Sequence, residues 1–298
     1  MYYEASTRGK PGPRKAAGCL HKVVDIKSRP RPISYLLQEL IQREQWAQSL
    51  PEAQEMAEKW EVSVLSIIEV ILATPDKFGR PHLYVLNSSS KYLVQGAGYI
   101  EGNEDERTMA HKLRRQNIYL VWNEMKGLSD SDFEIFSEKV IREIGAQHTK
   151  TTSYSSDEGI DFFGKLKLRE HLFIEDLSPT IQHQLEVWLI GQAKHYKAIK
   201  VSTPDIRELV GSVELARGRA FSVLGVGKYP ELTIRVCDPI FILFFTTGDI
   251  SSDGWNLLEN SGVIGMDGLM LAAFLCDRQI GLIGNLFVKS KFNAWLGL

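Results

Sequence analysis

The chain has 298 residues, 44% of them apolar and 24% charged, with a formal net charge of −2. That size and composition suit a globular protein of two domains, or one large domain with extensions. No apolar run reaches the roughly 18 residues that a membrane-spanning helix needs. Cys19, Cys237 and Cys276 are scattered, with no Cys-x-x-Cys pair, which argues against a disulfide framework or a cysteine zinc site. The N-terminal MYYEASTRGK has no apolar core and does not read as a secretion signal. A reducing, cytoplasmic setting is expected.

The net charge hides an asymmetry. Residues 1–31 carry a charge of +6, leaving −8 on the remainder. This arm is rich in Pro and Gly and poor in apolar residues, so it is expected to be disordered alone. Arg8 and Lys10 are candidates for lying along a nucleic-acid groove. A solubilising tail is the alternative reading. Next, Ile33, Leu36, Leu37, Leu40 and Ile41 recur at helical spacing over 33–50. Pro51 opens a second helix to Lys59, and Val62–Ala73 reads as a third. His82–Leu86 and Lys91–Gln95 flank a polar turn and form a hairpin.

Helices followed by a hairpin outline a winged helix, a module that reads DNA. The stretch 36–76 is acidic, however, and would be repelled by phosphates. A partner-binding, dimerisation or ligand-sensing α+β domain is the alternative. The run Arg107–Lys126 is more basic, and reads either as a binding face or as a solvated helix. Gly127 and the cap residues Ser129 to Asp132 mark a boundary. This gives three parts: an arm (1–31), a recognition or regulatory domain (32–127) and a catalytic domain (128–298).

The helix Asp132–Gly145 carries an apolar stripe of Phe133, Phe136, Val140, Ile141 and Ile144. A polar loop, 146–156, leads to the acidic turn Asp157–Asp161. The strand Glu186–Lys194 follows, then a capped helix from Ser202-Thr203-Pro204-Asp205. Pro239–Phe245 reads as a buried central strand, Val263–Met266 as a short one, and Leu269–Cys276 as a helix. Strands alternating with helices predict an α/β domain.

Gln192 and Lys194 fall on one strand face, because side chains alternate with period two. Asp161 offers a carboxylate, Gln192 an amide oxygen and Ala193 a backbone carbonyl. Such oxygen donors suit Mg²⁺, with Mn²⁺ as a substitute. A bound divalent ion makes water nucleophilic and offsets the growing charge of phosphodiester hydrolysis. The Lys194 ammonium would orient that water and stabilise the transition state. Asp157 reads as a turn residue, with a metal role as the alternative, and His195 points to the opposite face.

These blocks resemble the Mrr-type branch of the PD-(D/E)xK restriction endonucleases, in which glutamine replaces the usual glutamate. The match runs through Phe133-Glu134, Asp157-Glu158-Gly159-Ile160-Asp161, Gln192-Ala193-Lys194, Tyr196, Pro204–Gly211, Phe245–Gly248 and Met266–Gly268, spanning 128–290. The resemblance implies a restriction-endonuclease-like core with a mixed central sheet flanked by helices. It implies a DNA endonuclease using Mg²⁺, often in the restriction of foreign or modified DNA. Asp161 becomes the principal metal ligand, Gln192 the second strand position and Lys194 the catalytic lysine. Glu134 becomes the helix carboxylate near the metal. Tyr196 and Lys197 become candidate phosphate contacts. Cutting both strands implies a homodimer or assembly on DNA. Residues 169–184 read as an insertion, serving as a contact loop or as neutral surface. Two other readings stay open: a nuclease gated by a small molecule or protein at the N-terminal domain, and a non-cleaving DNA-binding protein.

Overall fold

The structure is a computed structural model that describes residues 10–73, 79–152, 159–168, 185–196, 200–218 and 231–298. The chain divides into two compact units. Unit 1 is Met1–Val121 with Ala272–Lys291, and unit 2 is Trp122–Leu271 with Phe292–Leu298.

Unit 1 begins with α1 (Pro13–Cys19). It continues through β1 (Arg31–Pro32), α2 (Ile33–Arg43), α3 (Leu50–Ala73), β2 (Tyr84–Asn87) and β3 (Ser90–Gly96). The strands pair antiparallel in the order β1-β3-β2. Helix, strand, two helices and a hairpin in this order form a winged-helix topology. The expected disordered arm is corrected from Pro13 onward: Ala16, Ala17, Cys19, Leu20 and Val24 are buried against α2 and α3. The eight Lys and Arg residues of 1–31 obscured this short apolar run. The two helices expected over 51–73 are one helix of 24 residues. Nothing between Lys59 and Val62 breaks a helix, and the buried stripe of Ala53, Ala57, Val64, Leu65 and Ile68 runs through.

The expected single run Arg107–Lys126 is two helices, α4 (Glu106–Arg115) and α5 (Ile118–Lys126). Lys112 is held by the Tyr99 carbonyl at 3.0 Å and by Glu104. Arg115 grips Asp277 with two bonds, at 2.9 and 2.7 Å. That fork ties the 272–291 segment to unit 1. The boundary expected at 127 also falls differently. The Trp122 indole donates to the Thr247 carbonyl at 2.7 Å, so the end of α5 belongs to unit 2.

Unit 2 opens with α6 (Asp130–Ile144), capped by Ser129 and closed by Gly145 at φ 111°. A five-stranded mixed sheet follows: β4 (Gln147–Thr151), β5 (Phe162–Lys167), β6 (Glu186–Lys194), β7 (Ile240–Thr246) and β8 (Ile264–Met266). Its order is β4-β5-β6-β7-β8. The β4-β5-β6 pairings are antiparallel, and β6-β7-β8 are parallel. Part of the polar loop expected at 146–156 is thus strand β4. An edge strand pairs on one side only, so a polar, Thr-containing sequence can fill it. Helix α7 (Thr203–Arg217) carries the Ser202–Asp205 capping box. Three further helices, α8 (Ser252–Ser261), α9 (Gly268–Asp277) and α10 (Lys289–Leu296), complete the described elements with the hairpin β9 (Leu282–Ile283) and β10 (Leu286–Phe287).

Two glycines set the packing around β5 and β6. Gly164 brings β5 against α6: a Cβ there would meet Ile141 at 3.2 Å and Thr149 at 2.9 Å. Gly191 lies under the Phe162 ring, where a Cβ would stand 2.2 Å from a ring carbon. Phe162 and Gly191 are also directly paired across the strands. Gly191→Ala is therefore expected to lose about 1–3 kcal/mol by overpacking. Denaturant unfolding measures it, and a neutral result would contradict this contact.

Candidate active site at the β5 and β6 ends

Asp161 sits at the start of β5, where the ladder opens. Its N–H donates to the Gly191 carbonyl at 2.9 Å. Its carboxylate accepts the Ala193 N–H at 2.7 Å. This second bond turns the acid toward β6, thirty-two residues on. Burial pushes the Asp161 carboxyl above the usual range. The Ala193 N–H and the Lys194 charge pull it back, and Glu208 pushes it up again.

Gln192 is 1% exposed and faces α7. Its Nε2 donates weakly to Glu208 Oε1 at 3.5 Å. Its Oε1 is enclosed and has no hydrogen-bond partner among the described residues. Lys194 shares this face, with its Nζ 4.0 Å from the same Glu208 oxygen. The Ala193 carbonyl leaves the strand on the same edge as its N–H, the edge where Asp161 stands.

Glu134 lies in the first turns of α6. Burial, then the charges of Asp161 and Asp130, push its carboxyl up to about 7. The Asp161 charge raises the Glu134 carboxyl, so Glu134 lies within electrostatic reach of this cluster. Asp161, Gln192, Ala193, Lys194 and Glu134 are thus brought together from three elements. His195 packs on Phe133 and bonds Asp130 at 3.0 Å, on the α6 side of the sheet.

The Tyr196 hydroxyl donates to Asp205 in the α7 cap at 2.9 Å. Burial and then that bond push its pKa up to about 12. Lys10 is exposed at the start of the described chain. Arg8, Asp157, Lys197 and the 169–184 insertion lie outside the described residues.

Glu208 was missed in the sequence. It projects from α7 beside the buried Ile206 and Leu209. The signal was Ser212, a buried polar residue one turn further on, whose hydroxyl bonds the Glu208 carbonyl at 2.9 Å.

The donors here are oxygens: one carboxylate, one orphaned amide oxygen and one backbone carbonyl. They fit a hard divalent cation of the Mg²⁺ or Mn²⁺ kind, which keeps several waters of its own. Among the described residues no group of three His, Cys, Asp or Glu side chains forms a metal cluster. Any such ion would lean on neutral oxygens. No described helix is long and apolar enough to cross a membrane.

A mixed sheet thus carries an acid beside one strand and Gln-x-Lys on the next. Residues 125–229 match the Mrr catalytic family model, described as restriction endonuclease. No curated protein matches the chain. Three solved structures show partial similarity to the chain. The MspJI restriction endonuclease, in complex with a 27-mer oligonucleotide, is 17% identical over 67% of this chain and 40% of that one, with a TM-score of 0.39. The DNA modification-dependent restriction endonuclease AspBHI is 13% identical over 68% and 45%, with a TM-score of 0.40. The restriction endonuclease FokI bound to DNA is 11% identical over 95% and 47%, with a TM-score of 0.33. The chain spans less than half the length of each.

The Glu134 carboxyl titrates near 7 in the fold and at its ordinary 4.5 otherwise, so the native state holds the proton more tightly. Any stabilisation from that proton is complete below 4.5 and lost as pH rises through about 7. Glu134 is half-exposed, so screening trims the effect to about 1 kcal/mol. Glu134→Gln is expected to match wild type at pH 4 and exceed it at pH 8 in metal-free urea melts. A wild type more stable at pH 8 would contradict the burial.

Proposed function

We propose that this protein is a divalent-metal-dependent DNA endonuclease of restriction type, acting in the cytoplasm against foreign DNA. The observation that carries the reading is the Asp161 carboxylate bonded to Ala193 N–H between the Gln192 and Lys194 side chains. Asp161, the Gln192 Oε1 and the Ala193 carbonyl would hold Mg²⁺ or Mn²⁺. When bound, such an ion supplies an activated water and neutralises phosphate charge. Lys194 orients the attacking water and stabilises the charge that grows on the phosphate. Glu134, titrating near neutrality, can take up a proton at its carboxyl during turnover. Arg8, Lys10 and Lys197 supply sequence-independent phosphate contacts. Two strands require two such sites, so the working form is a homodimer on DNA.

Plasmid cleavage tests the reading. Wild type with Mg²⁺ is expected to nick and linearise DNA, and EDTA to stop it. Asp161→Ala and Lys194→Ala are each expected to slow cleavage by about 100-fold or more. Binding without cleavage by wild type would favour the non-cleaving alternative.

A second reading concerns unit 1. The solvent face of α3 carries Glu52, Glu55, Glu58 and Glu69 against Lys59. In a winged helix this position reads DNA, and an acidic face is repelled by phosphates. The face therefore suits a small-molecule or protein regulator that gates cutting. Replacing Glu55, Glu58 and Glu69 by Gln is expected to leave DNA affinity unchanged within twofold in filter binding at fixed salt. A large gain would place this helix against the duplex.

A further inference from the structure

Resting on the metal-dependent reading above, we propose that Glu208 is a positioning residue that fixes which end of the Gln192 amide faces the metal. A carboxylate at strand position 192 would present oxygen at both ends, and either rotamer would serve. An amide has one acceptor end and one donor end, so a glutamine here needs its orientation selected.

Glu208 makes that selection. Its carboxylate oxygens only accept, and Oε1 stands 3.5 Å from the Gln192 Nε2. The flipped amide would set oxygen against oxygen. With Nε2 held, Oε1 turns away into the interior, where it is buried and has no partner among the described residues. A buried acceptor left open is costly in a finished fold unless something else satisfies it. A divalent cation would do so.

The surroundings support the same role. Gly159, at φ 70°, lies where a Cβ would come within 3.4 Å of both the Gln192 Nε2 and the Glu208 Cγ, and 2.8 Å from the Ser212 hydroxyl. A side chain there would be strained at that φ and crowded at that distance, so the glycine lets α7 close on β6. The Ser212 hydroxyl fastens the helix backbone at Glu208. The same Glu208 oxygen stands 4.0 Å from the Lys194 Nζ. One acid thus orients both strand side chains without itself being required as a ligand.

Mn²⁺ binding to the full-length protein, followed by electron paramagnetic resonance without DNA, tests this directly. Glu208→Ala is expected to weaken Mn²⁺ by about 10- to 100-fold, the usual range for partners that hold a ligand in place. Gln192→Glu makes the lock unnecessary. In that background Glu208→Ala is expected to cost less than threefold. Equal losses in both backgrounds would mean that Glu208 acts as a ligand or as bulk charge, and would overturn the proposal. So would an unchanged affinity in Glu208→Ala. Asp161→Ala serves as the control: if it leaves Mn²⁺ binding intact, the ion sits elsewhere and the metal reading itself fails. The Glu208 side chain is 44% exposed, so these variants are expected to fold, which circular dichroism checks.

Discussion

The antiparallel register of β5 against β6 is the constraint on which the catalytic unit depends. Phe162 opposite Gly191 ends the ladder one residue short of Asp161. The acid is then free to leave the sheet and accept the Ala193 N–H. A slip of one residue would turn Gln192 and Lys194 toward α6 and carry the acid past them. The Phe162 ring lying on Gly191 makes such a slip sterically costly. The register and the site are therefore one feature.

The electrostatics of the site follow from burial around this edge. Asp161 and Glu208 share a single lysine, Lys194. Burial raises Asp161 more than the Ala193 N–H and Lys194 lower it, whereas burial, Asp161 and Asp130 all raise Glu134, which is the mark of acids held short of positive charge. A neutral glutamine at 192 avoids adding a further charge to a buried position. The proposed cation would supply what one lysine does not. In exchange, the amide brings a polarity that must be selected, and Glu208 is placed to select it.

Unit 1 combines a winged-helix topology with an acidic solvent face on α3. Its cationic residues are not gathered on α3. Some are spent internally, as Arg115 is on Asp277 and Lys112 on Glu104. Topology follows from the apolar stripes of α2 and α3, whereas partner choice follows from their solvent faces. The two properties are separable in the sequence and separate here.

Apolar periodicity, cap residues and turn signals sufficed to read α2, α6, α7, the β2–β3 hairpin and the buried β6 and β7. These signals are local, and the elements bury long apolar faces. The blocks around Asp161, Gln192 and Lys194 stood out in the sequence as candidates because an acid, an amide and a lysine at that spacing suit one chemistry, and the fold sets them side by side. Strand β4, the folded arm and the unbroken α3 were not legible, since each takes its stability from neighbours distant in the chain. The return of 272–291 to unit 1 depends on an Arg115–Asp277 fork across 162 residues. Glu208 reads in sequence as one more helix acid. Only the close approach of α7 at Gly159 brings it to Gln192, because side-chain orientation in a buried site is decided by what packs against it.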